Sequence, residues 1–555
     1  MITLGERPSM ALAARGRDLL AALGEGGGLG EAVPAGHGLL VHFDPARTSA
    51  LEICSRLLQL ESRLTNRRPS EPRTIAIPVC YGGEHGPDLQ RLASEKGMEV
   101  ADLIRLHSQP TYGVLQLGFL PGFPYLDGLP PALATPRLQT PRTSIPAGSV
   151  AIGGDQTGIY PLSSPGGWHL VGRTPLRLFD PTSAAPFLFS AGDGVRFEPV
   201  DAAAFERIAA EQAAKRERRV AARGPGEGAD PDASPLFEVV KPGPLTTIQD
   251  QGRRGYLAWG LPAAGALDPY SYQAGNALLG NTPGDASLEI TLPGLRLRAV
   301  RRGLVAATGA DLGATLDGAA LPMWEAVAVP AGGEIAFARI GSGCRAYLAV
   351  AGGIRVTPVL GSRSTYVPAS LGGLHGRALR AGDMLPAGPV PPGREAGRRL
   401  APGLRPEWSE APVVRLLPGR QWDRFGGESR SALLGEPYTV TPRSNRMGYR
   451  LQGRQLPAAG HDIPPEPLVE GDVQVPGDGQ PIVLLADRQT TGGYAKIGTV
   501  IGADMPAVAQ LRPGQRIRFR LVDLEAARAA WIEMQGRLAA VARRPGDPAR
   551  KEDAP

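Results

Sequence analysis

Cysteine is scarce: Cys54, Cys80 and Cys344 are odd in number and far apart, which excludes a disulfide framework and a cysteine zinc site. The seven histidines include no H-x-x-x-H pair, so a zincin site is absent too. No G-x-x-x-x-G-K-[ST] loop occurs, which excludes a P-loop nucleotide site, and no G-x-S-x-G elbow occurs. A Gly/Ser-rich amidase signature and a Met-Lys-Met biotin-attachment site are missing as well. Long apolar runs are lacking. The uncharged stretch from Leu106 to Leu126 is cut by Pro110, Gly113, Pro121 and Gly122, and so reads as strand and loop. The N-terminus is charged early and has no signal-peptide core. These features predict a cytoplasmic protein without a membrane span. The net charge of +6 comes from 60 basic and 54 acidic residues without a basic-aromatic stripe, so nucleic acid is not an expected partner. Lysine is rare: Lys96, Lys215, Lys241, Lys496 and Lys551 leave all other basic positions to arginine. A lysine inside an ordered motif therefore stands out.

Glycine and proline are plentiful, 74 and 55 of 555 residues, which breaks long helices and favours short strands joined by turns. The length suggests roughly three or four domains. Helices are expected at Asp88–Leu106, opened by Asp88 as N-cap, at Asp201–Arg223 and at Asp523–Ala542. Gly224–Pro235 has linker composition, and a polar tail follows Ala542. Two halves joined head to tail are implied. Gly148-SVAIGGDQ, Gly166-GWHLVG and Gly192-DGVRF in the first half answer to Gly471-DVQVPGDGQ, Gly492-GYAKIG and Gly514-QRIRF in the second. Asp155 to Phe197 spans 42 positions and Asp478 to Phe519 spans 41, so one β-rich unit occurs twice. Thr140-Pro141-Arg142 and Thr441-Pro442-Arg443 read as a further matched pair. Alternating runs such as VRFEP, VVRLL and IRFRLV predict half-buried strands, and closure into barrels would remove their edges.

The segments IPVCYGGEHGPDL (Ile77–Leu89), GFLPGFPYLDGLP (Gly118–Pro130) and Thr140–Pro175 resemble the B subunit of 5-oxoprolinase, also described as allophanate hydrolase subunit 1 or the KipI-type kinase inhibitor. VVKPGPLTTIQDQGRRGY (Val239–Tyr256), GALDPYSYQAGNALLGN (Gly265–Asn281), RSNRMGYRLQG (Arg443–Gly453) and Pro481–Pro506 resemble its C subunit, the KipA-type or allophanate hydrolase subunit 2 family. The resemblance implies a mainly β protein with some α, built from tandem cyclophilin-like β-barrel domains in two fused halves and akin to the carboxyltransferase part of urea carboxylase. The expected division is 1–72 for the start of the B-like half, shorter than the family's usual start, and 73–200 for its cyclophilin-like domain. Residues 201–236 are helix and linker, and 237–410 the first domain of the C-like half. Its second, cyclophilin-like part is 411–522, and 523–555 a closing helix and tail. The implied activity is ATP-dependent opening of 5-oxo-L-proline to L-glutamate, with Mg–ATP as cofactor and, as obligatory partner, a separate A subunit. The alternatives are a carboxyltransferase component using carboxybiotin from another chain, and a regulator that inhibits a histidine kinase.

A lactam is a poor electrophile with an acidic substituent, so its site needs anion-binding donors, an oxyanion stabiliser and a proton carrier. The turn Ser163–His169 followed by Arg173 can supply these, with His169 moving a proton. In the second half, Asp487–Tyr494 followed by Lys496 offers an arginine, hydroxyls, glycines and the rare lysine. The candidates are therefore His169 and Lys496 as catalytic groups, with Arg142, Gln156, Arg173, Arg443, Arg446, Arg488, Thr490, Thr491 and Tyr494 binding substrate or phosphate. No metal ligand set is expected. Gln249–Arg253 is an open candidate, whereas Asp268, Asn276 and Glu289 read as caps and turn contacts.

Overall fold

The computed structural model describes residues 1–5, 8–23, 29–64, 73–222, 230 and 232–542. Most of the expected linker, the polar tail and Lys551 lie outside them. Strands Thr74–Tyr81, Thr111–Leu117, Pro124–Asp127, Ser149–Gly153, Gln156–Ile159, His169–Arg173 and Gly194–Pro199 close into a seven-stranded barrel. Strands Val413–Pro418, Tyr438–Val440, Gly448–Gln452, Asp472–Gln474, Ile482–Leu484, Lys496–Val500 and Arg516–Leu521 close a second. Counted in chain order, the strands run around both barrels in the same circular sequence. In each, the first and last strands pair in parallel, Ile75 against Val195 and Val414 against Phe519. The alternation in VRFEP does what its period requires: Val195 and Phe197 enter the core while Arg196 is exposed. The duplicated glycine-bounded segments fall on equivalent strands.

The matched TPR tripeptides do not. Arg142 opens the two-stranded sheet of Arg142–Ile145 with Ser164–Gly166, outside the first barrel. Arg443 sits in an exposed turn between two strands of the second barrel. The second barrel's outlying two-stranded sheet is Asp462–Pro467 with Thr491–Tyr494, so the topological counterpart of Arg142, paired with Gly166, is Glu466, paired with Gly492. A shared tripeptide in Pro-rich turns was coincidence. The helix expected over Asp88–Leu106 is two helices, Leu89–Glu95 and Val100–Ser108, broken at Gly97 with φ of 63°. Asp88 does not cap it; its carboxylate accepts from Arg142 Nη2 and Leu170 N, both at 2.7 Å.

Ahead of the first barrel, Ile2–Thr3, Leu29–Ala35 and Gly38–Phe43 form a small sheet with the helices Met10–Leu23 and Ala50–Leu64. Between the barrels, a six-stranded and a five-stranded sheet pack face to face over residues 234–387 around Leu288, Leu297, Val305, Ile335 and Leu348. Gln249–Arg253 is a structural knot of this unit. Asp250 accepts from Ser362, Ser364 and the Gly252 and Arg363 amides, and buried Arg253 donates to Val359 O and Ser364 O.

Asp268 caps the helix Pro269–Leu279, accepting from Ser271 N at 3.0 Å, and also accepts from Gln510 Nε2 of the second barrel at 2.8 Å. Burial pushes its carboxyl from 3.8 up to about 6, against these hydrogen bonds. The folded state therefore holds this proton more tightly than the unfolded chain. The group's contribution is full below about pH 4 and lost as pH rises through 6, a loss of about 3 kcal/mol. Denaturant unfolding of the wild type and Asp268→Asn at pH 4 and pH 6.5 checks this: the variant, whatever its absolute stability, shows a flatter pH dependence.

Candidate active site

On the second barrel, Val473, Val475, Ala495 and Ile497 fill the core, so Asp472, Gln474 and Lys496 project from the outer face. The two-stranded sheet Asp462–Pro467/Thr491–Tyr494 lies over that face and brings Glu466 down onto it. Lys496 is only 7% exposed. Its Nζ is 2.9 Å from Glu466 Oε1 and 3.7 Å from Asp472 Oδ2, and donates to Pro467 O at 3.1 Å. Gln421 Nε2 donates to Glu466 at 3.0 Å, Arg420 lies 3.9 Å from it, and Asp472 accepts from Thr499 Oγ1 at 2.7 Å. Leu40 and Met1, from the other end of the chain, line a half-open cavity of about 160 Å³ together with Arg420, Glu466, Asp472, Lys496 and Thr499. Two residues beyond Leu40, burial and the Arg488 charge push His42 down to about 4, so it is neutral.

The turn Asp487–Thr491 borders this layer. Arg488 is buried, and its Nε donates to Leu468 O at 3.4 Å, one residue from the carbonyl that Lys496 binds. Burial lowers its pKa, and the charges of Glu470, Asp472 and Glu31 offset this only in part. Thr490 Oγ1 is buried with no hydrogen-bond partner among the described residues. Arg446 is not available to a substrate. It is 5% exposed and chelates Asp487 with two bonds of 3.0 Å, donates to Gly265 O at 2.6 Å, and pairs with Glu289 from the central sheets. Burial opposes the Glu289 charge, but Arg446 and Arg345 outweigh it and hold its carboxyl below the usual range; at Asp487 burial wins and pushes the carboxyl up. Glu289, read as a turn contact, is thus the centre of a buried ion network.

In the first barrel, His169 has both ring nitrogens engaged: Nδ1 accepts from Arg91 at 2.9 Å and Nε2 donates to Pro136 O at 2.8 Å. That leaves no free nitrogen for moving a proton. Arg142 is tied to Asp88, and Arg173 donates to Ala147 O at 2.8 Å. Gln156 and Tyr494 are half-buried on their strands. The two halves nevertheless meet here. Trp168 packs against Phe123 and Tyr125, Thr491 lies beside Tyr125, and Gln116 Nε2 donates to Pro465 O at 3.1 Å. Thr491 fits because Gly118 has no side chain; a Cβ there would stand 1.7 Å from Thr491 Oγ1. Gly118→Ala is therefore expected to cost about 1–3 kcal/mol, read as a lowered midpoint in denaturant.

The sequence reading missed Glu466, Asp472, Gln474, Arg420, Leu40 and His42. The rarity of lysine had singled out Lys496, which lies on this outer face. Among the described residues, no group of three or more His, Cys, Asp or Glu is placed to hold a metal ion, and no helix is long and apolar enough to cross a membrane.

Residues 1–189 match the family described as carboxyltransferase domain, subdomain C and D, and residues 259–521 match carboxyltransferase domain, subdomain A and B. The 5-oxoprolinase C subunit of Escherichia coli (strain K12) is 40% identical over 302 residues, 54% of this chain and 96% of that protein. The 5-oxoprolinase B subunit of Escherichia coli O157:H7 is 44% identical over 169 residues, 30% of this chain and 77% of that protein. The crystal structure of TTHA0988 superposes with a TM-score of 0.80 at 37% identity, covering 94% of this chain and 99% of that one. With both matches lying on one polypeptide in the order B then C, the chain belongs to the family of 5-oxoprolinase B and C subunits.

Proposed function

We propose that this chain is the fused B/C component of an ATP-hydrolysing 5-oxoprolinase that, with a separate protein of the A-subunit type, converts 5-oxo-L-proline to L-glutamate in the cytoplasm. The observation that carries this is a cavity lined by Arg420, Glu466, Asp472 and Lys496 where the B-like and C-like halves meet. Its volume of about 160 Å³ is below the roughly 300–1,000 Å³ of pockets for drug-sized ligands. It suits a single five-membered ring. It does not suit ATP: the cavity is small, two carboxylates face it, and the sequence has no P-loop. No nucleotide step is therefore assigned to these residues.

Within the cavity, Lys496 is the group placed to stabilise charge developing on a substrate oxygen, with Glu466 and Asp472 anchoring its ammonium. Glu466, 2.9 Å from that ammonium, is positioned to exchange a proton with it. Leu40 and Met1 line the same cavity beside the pair. The test is glutamate and ADP release from 5-oxo-L-proline and ATP by the chain mixed with an A-type partner, each protein alone as control. Stoichiometric release only in the mixture supports the proposal. The match to carboxyltransferase subdomains favours one second reading, carboxyl transfer from carboxybiotin. Discharge of carboxybiotin without glutamate release would establish it instead.

A further inference from the structure

A substrate with an acidic substituent needs a cation that the fold has not already used, and none of Arg142, Arg173, Arg443, Arg446 and Arg488 lines the cavity. Two side-chain cations do. Lys496 is committed: its ammonium lies between Glu466 and Asp472 and donates to Pro467 O. Arg420 is not. Its guanidinium makes no hydrogen bond among the described residues, and its one ion pair there is loose, Nη1 standing 3.9 Å from Glu466 Oε2. A charge-assisted hydrogen bond spans about 2.7–2.9 Å, so the planar fork of Arg420 keeps its donors for another acceptor. Its side chain is 39% exposed against 8% for Lys496, which puts the arginine on the solvent side of the cavity and the lysine on the inner side.

The backbone under this guanidinium is fixed. Gly419 N donates to Ile497 O and Trp422 N to Gly419 O, each at 3.0 Å, which makes a tight turn. A Cβ at Gly419 would stand 2.3 Å from Lys496 O, so the missing side chain lets the turn lie flush against the strand that carries Lys496. Gln421 fastens the other side: Oε1 accepts from the Lys496 amide at 3.1 Å and Nε2 donates to Glu466 Oε1 at 3.0 Å. Both neighbours of Arg420 are thus tied to the lysine's own strand, and its guanidinium is held in register with the ammonium. The two cations face opposite oxygens of Glu466, and the arginine's hold is the weaker one, so it is the one that an incoming carboxylate displaces. We infer that Arg420 clamps the carboxylate of the substrate at the open side of the cavity and so places the ring toward Lys496. This rests on the proposed function and names the residue that selects an acid over a neutral ring of the same size.

The test runs three rings through the turnover assay of the full chain with its A-type partner: 5-oxo-L-proline, its uncharged carboxamide, and 2-pyrrolidinone, which lacks the substituent. The wild type is expected to prefer the acid by about tenfold or more in kcat/KM. Arg420→Met raises KM for the acid by about 10–100-fold, the loss of a charge-assisted pair, with kcat little changed. The neutral rings keep their values, so the selectivity collapses. Arg420→Lys, which retains the charge but not the fork, recovers part of it. A residue that only balanced Glu466 would slow all three rings alike. Unchanged selectivity in Arg420→Met, a parallel loss on all three rings, or a wild type indifferent to the carboxylate overturns the assignment. Calorimetric titration with 5-oxo-L-proline separates this from the proposed function. Binding that Arg420→Met weakens, without glutamate release, keeps the clamp and removes the oxoprolinase reading. Glutamate release with Arg420-independent selectivity removes the clamp alone, and neither binding nor turnover overturns both.

Discussion

Replacing Lys496 by methionine lowers turnover of the partnered enzyme by about 10²–10⁴-fold, the range expected when a proton-transferring or charge-stabilising group is removed. The same change leaves Glu466 buried, with Gln421 as its nearest remaining donor and Arg420 at 3.9 Å. Breaking a buried pair by removing one partner costs about 3–5 kcal/mol, so Lys496→Met will be less stable in denaturant as well as slow. The two effects separate in the double variant Lys496→Met with Glu466→Gln, which relieves the stranded carboxylate. Stability returns in part; turnover does not. A double variant that regains both would mean the lysine only balances charge, and full activity in the single variant would remove the cavity as the active site.

Arg446→Met is expected to lower the unfolding free energy by about 3–5 kcal/mol, measured by urea denaturation. It strands two carboxylates at once, since Arg446 pairs with both Glu289 and Asp487. A guanidinium that clamped substrate would behave differently, raising KM with little change in stability. Glu289→Gln supplies the control. Glu289 also accepts from Tyr347 at 2.8 Å and from the Leu267 amide at 2.9 Å, so its loss is felt beyond the arginine. The two substitutions share a network, and their costs will not add. Additive costs would show that Arg446 and Glu289 act independently.

The barrels were legible because their strands are short, bounded by glycine and repeated in one order, and because alternation reports which face is buried. Lys496 stood out in the sequence through its rarity, though it opens a strand rather than lying in a turn. Its partners did not. Glu466 stands in DIPPEP, which reads as a Pro-rich loop until the two-stranded sheet folds it over the barrel. Gln474 shares its face with Lys496 only through strand pairing. Arg446 and His169 show the opposite limit. Each is the right residue type in a polar turn, but whether a guanidinium or an imidazole is open to a substrate depends on how many of its nitrogens the fold has already engaged, and their partners lie up to 181 positions away. The TPR pair misled for the same reason: a tripeptide has a composition but no fixed place in a topology.

The strand Gly38–Phe43 belongs to the first half and lines a cavity whose other wall is made by the second. On one polypeptide the two walls are synthesised in a one-to-one ratio and reach each other at a concentration set by the intervening chain rather than by the cell. Were the halves separate molecules, the cavity would form only above their dissociation constant and would be lost on dilution. Specific activity of this chain should therefore be insensitive to its own dilution at saturating partner. A version cut between the halves should lose activity as concentration falls, and an excess of either piece would restore it.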